Sequence, residues 1–191
     1  MERRSSNDDL DLLERARRYH YRETLPPEEY EALMGLGAQL VDPSVYDAQC
    51  FILGSYASGE KERLEYVRRE INQWPGGNYR GYLMEEFPDG LHPIVEFQLI
   101  ADYSDYLIGI CEHDSGGFQL ELGMLLAITE YRGRCSLLKR KYPKKKEHEK
   151  YNWMLGAGAF ELFEYHGDLW EWHDEAEFED AVEGVLREIL S

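Results

Sequence analysis

Residues 105–123 read DYLIGICEHDSGGFQLELG, and three successive parts of this stretch decide the fold. The apolar run from Tyr106 to Cys111 has the length and composition of a strand covered on both faces. Asp114-Ser115-Gly116-Gly117 then breaks the run as a turn. Behind the turn, Phe118, Leu122, Leu125 and Leu126 recur at helical spacing, so 118–131 is predicted as a helix packed by one stripe. A buried strand that feeds a helix through a glycine turn is the repeating unit of a parallel α/β sheet.

The same alternation recurs on either side. CFILGSY (50–56) reads as a buried strand ending in Gly54-Ser55-Tyr56, and 59–73 as a helix carrying Leu64, Val67 and Ile71 on one face. A strand is predicted over 81–87, a helix opened by Pro93 over 92–104, and strands over 134–138 and 158–166. The last helix places Phe178, Val182, Val185, Leu186 and Ile189 on one side behind Asp174 as its cap. Residues 139–150, KRKYPKKKEHEK, read as a solvated basic loop.

The pattern predicts an α/β fold, a flavodoxin-like parallel sheet of about five strands with helices on both faces, over residues 48–191. Residues 1–47 are predicted to form an N-terminal helical extension. Its first helix, 7–20, carries Leu10, Leu12, Leu13 and Ala16 behind Ser6, Asn7 or Asp8 as cap. The second follows Thr24 and Pro26-Pro27, carries Tyr30, Leu33, Met34 and Leu40, and stops at Asp42-Pro43.

Composition narrows the functional classes. The chain has 191 residues, 43% of them hydrophobic and 13% aromatic, enough to bury a core. Its 38 acids against 21 bases give a net charge of −17, which repels nucleic-acid phosphates and anionic membranes. Cys50, Cys111 and Cys135 form no CxxC pair and read as free buried thiols. The N-terminus lacks the apolar stretch of a signal peptide, and no run approaches about 18 apolar residues, so a cytoplasmic protein is expected.

In open parallel sheets ligands bind beyond the carboxyl ends of the strands, so the residues after each apolar run are the candidates. These are Gly54, Ser55 and Tyr56 in one loop, Glu85-Glu86 in another, and Glu112 to Gly117 in a third. Glu121 follows the third loop by one helical turn, where the positive end of the helix dipole keeps a carboxylate ionised. His113 lacks a second histidine at ligand spacing and reads as a solvated loop residue, and no metal or redox cofactor is expected. Ser55 has no G-x-S-x-G frame, and GSYASGEK lacks the spacing of a phosphate-binding loop.

The segment D-S-G-G-F-Q-L-E-L-G resembles the D-x-G-[TG]-x-x-x-E-x-G segment of the nucleoside 2-deoxyribosyltransferase-like superfamily. ADYSDYLIGIC and FILGSY resemble the strand that precedes that segment and the opening strand with its glycine loop, so the resemblance spans residues 50–138. It implies Glu121 as the nucleophile on the anomeric carbon of a nucleoside and Asp114 as the residue assisting the base. It also implies that Gly54, Ser55, Tyr56, Gly116 and Gly117 line the substrate pocket, and that homo-oligomers close it. The neighbouring Toll/interleukin-receptor-like folds, which cleave the nicotinamide glycosidic bond of NAD, are the enzymatic variant. A non-catalytic nucleotide-sensing or protein-interaction module is the alternative of a different class.

Overall fold

The computed structural model describes residues 6–19, 26–40 and 45–191, with side chains from Asp11 onward in the first helix. Five strands form one sheet: β1 (Ala48–Leu53), β2 (Tyr79–Tyr82), β3 (Tyr106–Cys111), β4 (Cys135–Arg140) and β5 (Leu169–Trp172). Their order is β2-β1-β3-β4-β5, and every pairing is parallel. This is a flavodoxin-like order, and its parallel pairing is what the alternation of strand and helix predicts.

Successive side chains leave a strand on opposite faces, and both faces here are covered. Cys50, Ile52, Ile108, Ile110 and Trp172 pack on one side, against α3 (Lys61–Gln73) and α9 (Glu175–Ile189). Phe51, Leu53, Leu107, Cys111 and Leu137 pack on the other, beside α4 (Pro93–Tyr103) and α5 (Phe118–Ala127). All six residues of β1 are buried for this reason. The three cysteines are free thiols on β1, β3 and β4, and burial raises the pKa of each above its ordinary value.

The helical extension shares this core. Leu12 and Ala16 of α1 (Ser6–Tyr19) and Leu33, Leu36 and Leu40 of α2 (Pro27–Leu40) belong to the same buried cluster as Phe97 and Leu99 of α4. The Asp102 carboxylate on α4 accepts hydrogen bonds from Tyr19 Oη at 2.6 Å and from Tyr131 Oη at 2.9 Å. Tyr131 stands on the short helix α6 (Thr129–Arg132), so one buried-side carboxylate ties three helices together. The side chains of Ser6, Asn7, Asp8 and Leu10, together with Thr24, Asp42 and Pro43, lie outside the described residues.

Some predicted elements are corrected. The strand predicted over 81–87 ends at Tyr82, because the Glu86 carboxylate captures the Leu83 amide at 3.0 Å and a 3-10 turn, Met84–Glu86, follows. The segment 158–166 is helical: a π-helical turn, Leu155–Phe160, runs into α8 (Glu161–His166). Asn152 Oδ1 starts that turn by accepting from the amides of Met154 at 3.0 Å and Leu155 at 3.2 Å. Leu155, Ala159, Phe160 and Phe163 are the buried face, which is helical spacing, and β5 begins only after Gly167 turns the chain at φ +84°.

The basic segment is not a loop throughout. Lys139 and Arg140 close β4, and Lys144–Lys150 form α7 behind Pro143. The helix predicted over 118–131 divides at Ile128 into α5 and α6.

The last helix forms as its pattern dictates. Asp174 accepts a hydrogen bond from the Glu177 amide at 3.1 Å, and Phe178, Val182, Val185 and Leu186 are buried. Asp174→Ala is expected to cost about 1 kcal/mol, the usual value of a lost helix cap, read as a lower denaturant midpoint. An unchanged midpoint would show that the cap contributes nothing to α9.

Candidate functional site

The strand order reverses between β1 and β3, and the crevice at their carboxyl ends is the place where such a sheet receives a ligand. The β1 loop supplies Gly54, Ser55 and Tyr56. A Cβ on Gly54 would stand 2.8 Å from Leu64 Cδ2 and 3.2 Å from the Ile110 carbonyl oxygen. Close packing of β1 against α3 and β3 thus accounts for this glycine. Ser55 Oγ accepts from the Ala57 amide at 3.2 Å and shapes the turn. Tyr56 reaches across to the 3-10 turn, where its hydroxyl accepts from the Met84 amide at 3.1 Å.

Beside Tyr56 stands Glu121, in the first turn of α5. The cleft in front of it measures about 140 Å³ and is walled by Met84, Pro93, Ile94, Phe97, Leu120 and Met124, with Gly117 at its edge. Among the described residues, no hydrogen bond or ion pair reaches the Glu121 carboxylate. Burial therefore acts on it unopposed and pushes its pKa from 4.5 up to about 7. The expectation that the helix dipole keeps it fully ionised is corrected: at neutral pH both forms are populated. Burial, with Glu121 adding to it, holds the Tyr56 phenol protonated, its pKa pushed up to about 12.

Asp114 is turned to a different partner. Its carboxylate accepts from the Asn152 amide at 3.1 Å and from Asn152 Nδ2 at 3.0 Å, and its own amide donates to the Lys150 carbonyl at 2.8 Å. It clamps the β3–α5 loop to the start of the π-helical turn and does not cap α5. Gly116 takes φ +92°, a conformation only glycine adopts without strain, and Gly117 precedes α5 with no side-chain cap.

Two interactions join distant parts of the chain at this end of the sheet. Glu112, its side chain 4% exposed, accepts from Arg63 Nε at 2.6 Å, Arg63 Nη2 at 2.7 Å and Arg140 Nη1 at 2.9 Å. Both guanidiniums lie over the buried Trp172 ring, at 5.4 and 5.0 Å from its centroid. His113, read from sequence as solvated, is only 20% exposed and pairs with Glu60 at 3.0 Å. These contacts span 49, 28 and 53 residues of sequence, beyond the reach of any local spacing rule.

Larger concavities lie elsewhere. One of about 460 Å³ is lined by Lys139, Tyr151, Trp153 and Phe160, and one of about 470 Å³ runs between α3 and α9. Size favours them. Position and chemistry favour the smaller cleft, which alone of the three sits at the strand-order reversal and contains an unpaired, perturbed carboxylate. Among the described residues, no group of His, Cys, Asp and Glu is arranged to hold a metal ion, and no helix is long and apolar enough to cross a membrane.

A five-stranded parallel sheet with an acidic cleft residue at its switch point defines an α/β protein of flavodoxin-like order. Over residues 25–153, which run from α2 through α7 and include the whole crevice, the chain belongs to a family of unknown function, DUF8170. No curated protein matches it.

Proposed function

We propose that the protein cleaves the N-glycosidic bond of a nucleoside or nucleotide, or transfers the sugar across it, with Glu121 as nucleophile. The carrying observation is the unpaired Glu121 carboxylate, half-buried in an apolar cleft at the strand-order reversal. A Glu121 oxygen forms a bond to the anomeric carbon as the carbon–nitrogen bond breaks. The bonding pair leaves with the base nitrogen, which takes up a proton, and water or a second base then displaces the sugar from Glu121.

On this reading the protonated Tyr56 hydroxyl is the donor beside the departing base. Asp114 serves the site by fixing the loop that carries Gly116 and Gly117. The cleft of about 140 Å³ is smaller than the roughly 300–1,000 Å³ of complete ligand pockets, so it fits a sugar and leaves the base outside. A second copy of the chain closing over the base completes the site. The cytoplasm is the proposed setting, a reducing compartment in which three buried free thiols persist.

The test is incubation with deoxynucleosides, nucleotides and NAD, followed by chromatography for free base. Release from one of them, lost in Glu121→Gln, is the expected result. No release from any of the three defeats the enzymatic reading, and saturable nucleotide binding in that case identifies a sensor. Release from NAD alone assigns the NAD-cleaving variant.

A further inference from the structure

We propose that Ser115, His113 and Glu60 form a second catalytic site, an acyl-transfer relay in which Ser115 attacks a small carboxylic ester. Both Glu60 carboxylate oxygens lie 3.0 Å from His113 Nε2. On the other side of the ring, the Ser115 amide lies 3.2 Å from Nδ1 and Ser115 Oγ lies 2.9 Å from it. An amide N–H can only donate. Nδ1 therefore carries the lone pair, Nε2 carries the proton, and the proton is directed at Glu60. This is the tautomer in which a histidine takes the serine proton while a carboxylate steadies the imidazolium that results.

The surroundings suit the chemistry. Ser115 is exposed, whereas His113 and Glu60 are each 20% exposed and so hold their geometry with little competition from water. Glu60 precedes α3 but makes no cap hydrogen bond there, leaving its carboxylate committed to the histidine. Three residues beyond Ser115 the ten-residue α5 begins without a side-chain cap; its Gln119 and Leu120 amides are taken by the Gly116 and Gly117 carbonyls, and the positive end of the helix dipole remains to steady a developing oxyanion.

In the first step Ser115 Oγ bonds to the ester carbonyl carbon as its proton passes to His113 Nδ1. The carbon–oxygen bond to the alcohol then breaks, and the alcohol leaves with that proton. Water, giving its own proton to His113 in the same way, releases the acid and restores the serine.

The full-length protein is treated with a fluorophosphonate probe, the adduct is mapped by peptide mass spectrometry, and p-nitrophenyl acetate hydrolysis is followed in parallel. The expected adduct is on Ser115, absent from Ser115→Ala. His113→Gln and Glu60→Gln, confirmed folded by thermal melts, are expected to label about 100-fold more slowly. An unlabelled Ser115 in the folded wild-type protein overturns the proposal, as does labelling of His113→Gln at the wild-type rate.

Discussion

Replacing Glu112 by alanine is expected to lower the unfolding free energy by about 3–5 kcal/mol, the cost of removing one partner from a buried charge cluster. The carboxylate accepts three charged hydrogen bonds at 2.6 to 2.9 Å while its side chain is 4% exposed. Without it, two guanidiniums face each other above Trp172 with no anion between them. Among the described residues, the ion pair left to Arg63 is Glu175 at 3.6 Å, a partner 64% exposed and worth little. Among the described residues, Arg140 Nε already lacks a partner and its guanidinium keeps no ion pair. Arg140→Ala should cost less, about 1–2 kcal/mol, because the bidentate Arg63–Glu112 contact survives and Arg140 is 33% exposed. Chemical denaturation separates the cases, and a loss below about 1 kcal/mol for Glu112→Ala would mean that the cluster is solvated.

That cluster also shows where the sequence stops being legible. The segment 105–123 could be read because strand, turn and helix are set by neighbours within a few residues, and the same holds for α9 with its cap at Asp174. Residues 158–166 misled because Phe160, Leu162 and Phe163 satisfy both periods over so short a run. What decided the matter was Asn152, whose side chain starts the helical turn. Arg63, Glu112 and Arg140, like Glu60 and His113, meet only after the sheet has brought loops together, and nothing local marks them. Gly54 was legible as a special position, but the physical demand on it comes from Leu64 and Ile110. The protonation of Glu121 depended on walls contributed by Met84 and α4, which outweigh the dipole of its own helix.

Glu121→Gln is expected to abolish base release, by roughly a thousandfold or more, while making the protein more stable in neutral and alkaline solution. The amide keeps the shape of the protonated acid but has no electron pair able to bond the anomeric carbon, so turnover is lost through kcat. In the wild-type protein the nucleophile must be ionised, and the rate should rise with pH through about 7 and then level. The stability effect follows from the same group with the opposite sign. Because folding raises its pKa from 4.5 to about 7, the favourable contribution of the protonated acid is intact below 4.5 and is lost as pH rises through about 7. A shift of that size corresponds to at most about 3 kcal/mol, reduced in practice by whatever water enters the cleft. Glutamine never ionises, so the variant should melt with wild type near pH 4 and above it at about pH 8. A solvated surface glutamate would produce neither the kinetic loss nor the pH-dependent gain. Coincident melting curves for the two proteins across that range would place the carboxylate in open water and remove it as the nucleophile.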